Sequence, residues 1–155
     1  MPVARSPEDI CLQSASPKEK SFFLAVLCAL ARIDDDFKAG ELRYIKELAR
    51  RMKAEMSPQV FACSPEDCCR LAAEIKNRRL ALELIKNMFI LAYTDNEFTD
   101  SEGRFICDIG NALHIEPQKI SQISSWIIDQ IIWLEQKALI FEDTPPKGAV
   151  DNAKR

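Results

Sequence analysis

The chain has 155 residues, of which 47% are hydrophobic and 29% charged, with a net charge of −3. That is the size of one domain, able to bury about 70% of the surface its unfolded form would expose, so neither a disulfide nor a metal is needed to hold a core. The negative balance argues against nucleic acid as a partner, and no run reaches the ~18 apolar residues of a membrane-spanning helix.

Residues 1–15 read as an N-terminal arm with room for one short helix, polar and without the pattern of a signal peptide. Four Ser-Pro steps, at Ser6, Ser16, Ser57 and Ser64, each place a capping hydroxyl before a proline at the first helical position. From Ser16 a first long helix is predicted to about Asp34, with Phe23, Val26, Leu27, Leu30 and Ile33 on one face. A second, from about Ala39 to Lys53, turns Leu42, Ile45, Leu48, Ala49 and Met52 inward. After a turn near Ser57 to Cys63 a third opens at Pro65 and carries Leu71, Ala72 and Ile75; its continuity through Asn77-Arg78-Arg79 stays open.

Leu80 to Thr94 is apolar on almost every side, which suits a central helix. Asp100 to Leu113 turns Phe105, Ile106, Ile109 and Leu113 inward, and Pro117 starts a last helix that reaches about Phe141. Its predicted inner stripe is Ile120, Ile123, Ile127, Ile131, Leu134, Ala138 and Phe141. Trp126, Trp133 and Ile140 are left on one flank, with Ile128, Ile132 and Leu139 on the other. These flanks either pack into neighbouring helices or meet a protein partner, a second copy or a membrane surface. Residues 142–155 read as a disordered tail. No stretch reads as a strand, so the predicted fold is an all-α, single-domain bundle of about six to seven helices, occupying residues 16–141.

No Gly-rich phosphate loop, no G-x-S-x-G and no Cys with a His partner is present, and a non-enzyme is predicted. Cys28 and Cys107 lie on apolar stretches and read as core. Cys63, Cys68 and Cys69 lack a zinc spacing and His114 stands alone, so structural thiols in a reducing cytoplasm are predicted.

One unit is written twice, over residues 21–53 and 82–114. A shift of 61 residues carries Ala31 onto Ala92, Asp34 onto Asp95, Asp36 onto Glu97, Phe37 onto Phe98, Glu41 onto Glu102 and Ile45 onto Ile106. Each copy is a helix, an acidic turn and a second helix. Thr99 and Glu102 have the spacing of a capping box, whereas Lys38 stands where Thr99 stands and cannot cap. Asp34 and Asp95 follow a helix C-terminus, where the dipole disfavours anions by roughly 0.3–1 kcal/mol. An ordinary EF-hand is excluded, because Ile45 and Ile106 occupy the position of its bidentate glutamate. Solvated acidic turns and a hard-cation site both remain compatible with this pattern.

The repeated A-x-x-D-x-[DE]-F-x-x-x-E, from Ala31 to Glu41 and from Ala92 to Glu102, resembles the tellurite-resistance TerB-like family, which includes the N-terminal region of DjlA-type co-chaperones. No J-domain His-Pro-Asp is present, so any action with a chaperone is expected to be that of a stand-alone helical module. The resemblance implies an all-α bundle with a pseudo-repeat and, by the family's name, a link to tellurite or general stress response. It also implies an acid cluster for a divalent cation, which maps onto Asp34, Asp36, Glu41, Asp95, Glu97 and Glu102. With oxygen ligands alone, Ca²⁺, Mg²⁺ or Mn²⁺ is expected before Zn²⁺. Where the family usually has Gly after the first Asp, this chain has Asp35 and Asn96, which tolerate a left-handed turn best among other residues. The rival expectation is a scaffold or homodimer that acts through Trp126, Trp133 and Ile140.

Overall fold

A computed structural model describes residues 6–34, 37–94 and 98–142. Its helices are α1 (Pro7–Ser14), α2 (Pro17–Ala31), α3 (Ala39–Met52), α4 (Pro58–Ala62), α5 (Pro65–Leu71), α6 (Arg78–Tyr93), α7 (Asp100–Ala112) and α8 (Pro117–Phe141). A 3-10 turn, Ala72–Glu74, follows α5, and no strand occurs among the described residues. The fold is all-α, and all four Ser-Pro steps open a helix. Ser6, Ser16 and Ser64 accept from the amides of Asp9, Glu19 and Asp67, while Ser57 makes no side-chain cap.

The third and fourth predicted helices are not continuous. Ile75 is extended, and Asn77 begins α6 afresh by accepting from the amides of Arg79 and Leu80.

The repeat becomes two helical hairpins, α2 with α3 and α6 with α7, joined where α2 packs on α6. Even their ends correspond. Lys53 (φ 56°) and His114 (φ 60°), again 61 residues apart, are both left-handed. Each closes its helix in the same way: Ala54 N donates to Ala49 O and Lys53 N to Arg50 O, as Ile115 N does to Gly110 O and His114 N to Asn111 O. This is the Schellman arrangement, with Lys and His where glycine is usual.

The most deeply buried segment is α2 rather than α6. Every residue from Phe22 to Ala31 is buried, because α3, α4, α5 and α6 surround it. α6 is lined by α1, α2, α7 and α8 and keeps a polar edge. α8 crosses α6 and α7, and Gly110 lets it approach, since a Cβ there would collide with the Cδ1 of Ile120.

Three core expectations fail for one reason, that a helix is wetted wherever no neighbour lies opposite. Leu71 is exposed at the end of α5, and Cys107 is exposed on α7. On α8, Ile120 and Ile127 are buried and Ile123 and Ile131 are partly buried against the core. Beyond Ile131 the predicted inner stripe fails. Leu134 is 54% and Phe141 78% exposed, because the helix outruns the bundle it packs on. Of the predicted disordered tail, 142–155, all but Glu142, the C-cap of α8, lies outside the described residues.

Candidate functional site

Asp34 is exposed just beyond Arg32, the C-cap of α2, and Thr99 is the N-cap of α7 in the other hairpin. Thr99 Oγ1 donates to Asp34 Oδ2 at 3.0 Å across 65 residues of chain. The same hydroxyl accepts from the Glu102 amide at 3.2 Å, and Glu102 Oε1 accepts from the Thr99 amide at 3.1 Å. One threonine therefore caps its own helix and ties the start of α7 to the acid that follows α2.

Of the six acids in the motif, Asp34 and Glu102 meet around Thr99, and Glu41 is buried in the first turn of α3, 8% exposed. Lys38, the N-cap of α3, makes no side-chain cap. Asp36, Asp95 and Glu97 lie outside the described residues. Among those described, no three His, Cys, Asp or Glu side chains stand close enough together to hold a metal ion.

Aromatic rings hold the ends of the second turn. Tyr93, the last residue of α6, stacks on Phe98 with ring centroids 4.9 Å apart, and Phe89 lies 6.3 Å from each. Gly103 leaves room for Phe98, whose Cε1 would stand 3.2 Å from an added Cβ. Stacked rings of this kind add about 0.5–1.5 kcal/mol beyond their burial.

The second predicted surface is open to solvent. Trp126, Trp133 and Ile140 are exposed, as are Ile128, Ile132 and Leu139 on the other flank. None of the described helices packs over the far end of α8.

A charged layer on α6 is missing from the sequence expectation of a helix apolar on almost every side. Glu83 is buried; its Oε1 lies 2.9 Å from Arg79 Nη2 and its Oε2 2.6 Å from Lys86 Nζ. The spacing of Arg79, Glu83 and Lys86, four and three residues apart, was the available signal. With Lys119 and Trp126 they line a groove of about 370 Å³ between α6 and α8. On the far side of α6, Tyr44 donates to Asn87 Oδ1 at 2.5 Å, and burial pushes its hydroxyl up to about 12.

No helix among the described residues is long and apolar enough to cross a membrane. No curated protein and no solved structure matches the chain. A family model described as "Tellurite resistance protein TerB" matches residues 23–125, about two thirds of the sequence. That span takes in most of α2, all of α3, α6 and α7, and the Thr99 to Asp34 hydrogen bond, and on this match the chain belongs to the TerB family.

Proposed function

We propose that this chain is a non-catalytic binding module of the cytoplasm that gathers a hard divalent cation between its two acidic turns, in a role linked to tellurite or general stress response. The observation that supports the reading is the Thr99 to Asp34 hydrogen bond, which ties Asp34 of the first repeat to the N-cap of α7, the helix of Glu102, in the second. The donor chemistry fits such an ion, since every candidate ligand is a carboxylate. The described acids alone are too few and too separated, so Asp34 and Glu102 would supply one edge of the site. Asp36, Asp95 and Glu97 would complete it. A bound cation would offset the unfavourable position of Asp34 beyond the C-terminal end of α2, and the loaded protein would be the form that meets a partner.

A thermal melt of metal-stripped protein tests this. A cation at 100 times its Kd stabilises by about 2.7 kcal/mol, roughly 5–10 °C for a domain of this size. Ca²⁺, Mg²⁺ or Mn²⁺ should raise the melting temperature of the wild type and leave the Asp95→Asn, Glu97→Gln protein unchanged. A wild type indifferent to all three ions ends the proposal.

A second reading rests on α8, and its occupant is a second copy of the chain. Eight large apolar residues of this helix are exposed, three of them by more than 64%: Leu139, Ile140 and Phe141. The eight lie on more than one side of the helix, and the flank with Trp126, Trp133 and Ile140 is the face that a second copy would cover. Between Ser121 and Glu142 the only cation is Lys137, against Asp129, Glu135 and Glu142. That balance favours a protein over an anionic membrane as the partner. Sedimentation should show a dimer for the wild type and a folded monomer for Trp133→Ser with Leu139→Ser. A wild type that stays monomeric at every concentration would exclude the second copy.

A further inference from the structure

Two thiols left over by the proposed function lie against each other. The Sγ atoms of Cys63 and Cys68 are 3.3 Å apart, closer than two sulfurs in ordinary contact, and all six cysteines are free. We infer that Cys63 and Cys68 form a reversible disulfide when the protein meets a peroxide, making the α4 to α5 junction a redox-modified site.

The backbone brings the pair together. Cys63 is the residue before Ser64, the N-cap of α5, and Cys68 is the fourth residue of that helix. Those are the two positions of a hydrophobic staple, which meet across the first turn of a capped helix. The junction is fixed on both sides: Ser64 accepts from the Asp67 amide at 3.1 Å, Cys68 N donates to Ser64 O at 2.9 Å, and Arg32 Nη2 donates to Cys63 O at 2.9 Å. To bond, the sulfurs must approach by only about 1.3 Å, to the ~2.05 Å of a disulfide.

Their surroundings assign unequal roles. Cys68 is fully buried, and burial together with the Cys63 contact raises its thiol far above the usual range. Cys63 is half-buried and borders a cavity of about 190 Å³ that Lys18, Ser21 and Val60 also line, so a small oxidant reaches it first. Cys69 stands aside: burial and the nearby acids Asp108 and Glu66 raise its thiol, and no sulfur contact ties it to the pair.

In the first step the Cys63 thiolate attacks one oxygen of the peroxide. The O–O bond breaks, Cys63 becomes a sulfenic acid, and hydroxide leaves when the oxidant is hydrogen peroxide. In the second, the Cys68 sulfur attacks the Cys63 sulfur, the S–O bond breaks, and the departing hydroxide takes the Cys68 thiol proton as water. Two thiols and one hydrogen peroxide give one disulfide and two waters. A thiol reductant reverses the modification.

The experiment treats the whole folded protein with hydrogen peroxide, alkylates the remaining thiols and maps the products by mass spectrometry. A Cys63 to Cys68 link with the loss of two hydrogens is expected, restored to two thiols by dithiothreitol. Cys68→Ser should instead accumulate a sulfenic acid on Cys63 that dimedone captures, and Cys63→Ser should leave Cys68 reduced. The inference is overturned if both thiols remain alkylatable after exposure that oxidises the exposed Cys107. It is equally overturned if the bond formed joins Cys69 or a second chain. Circular dichroism on both serine variants separates these results from a loss of fold.

Discussion

Tyr44 is the residue at which chemistry and stability are most directly coupled. Its hydroxyl donates to Asn87 Oδ1, and Asn87 Nδ2 donates to the Glu83 carbonyl at 2.7 Å, so a three-residue polar path runs from α3 into buried α6. Burial raises its pKa from 10.0 to about 12, which means the folded chain holds the phenol proton more tightly than the unfolded chain does. The stabilisation is full below pH ~10 and is lost as the pH rises through ~12, an effect of about 2–3 kcal/mol. Tyr44→Phe should therefore cost about 1–3 kcal/mol near neutrality, where Asn87 Oδ1 loses its donor, and should fall less steeply than wild type between pH 10 and 12. Urea unfolding across that range measures it, and parallel curves for the two proteins would contradict the assignment. None of this was legible in the sequence, because Tyr44 has no period of its own and Asn87 sits within an apolar run. By contrast, Thr99 and Glu102 were legible as a cap, since that interaction is local. The bond from Thr99 to Asp34 was not, since it depends on how two hairpins dock.

At the scale of elements, helix starts were easier to read than helix contents. Ser-Pro steps encode local chemistry: all four open a helix, three of them with the serine as cap, and the repeat gives matching helix starts at Ala39 and Asp100. Burial is not local, which is why Leu71, Cys107 and Leu134 were misplaced: their periodicity is correct but no neighbour faces them. The matched helix ends make an element-scale prediction. Lys53 and His114 adopt a conformation that costs an L-residue roughly 1–2 kcal/mol and that glycine adopts freely. Glycine's greater freedom when unfolded offsets part of that gain. Lys53→Gly and His114→Gly should each stabilise by about 0.5–1 kcal/mol, and the double variant should show the sum, because the sites belong to different hairpins. Chemical denaturation of the three variants tests this. A loss of stability in His114→Gly would mean that the imidazole has work beyond ending α7.

For the molecule as a whole, the decisive asymmetry is that α8 belongs to the bundle at one end only. Ile120 and Ile127 are buried, whereas Trp133, Leu139 and Phe141 are 63%, 79% and 78% exposed. A helix end without a packed face is held mainly by its own hydrogen bonds, and such segments open at far lower free energy than the core. In a monomer, amides from about 132 to 141 should exchange quickly, and those from about 120 to 131 should exchange as slowly as α2. If two copies pair through this face, protection must spread along α8 as the protein concentration rises, because the interface supplies the missing packing and binding stabilises by mass action. Hydrogen exchange at low and high concentration therefore tests the pairing independently of sedimentation. The Trp133→Ser, Leu139→Ser protein should show the low-concentration pattern throughout, with the exchange of α2 and α6 unchanged. Protection of the far end that is equally strong at every dilution would instead mean that the chain itself covers this face, and the second-copy reading would fall.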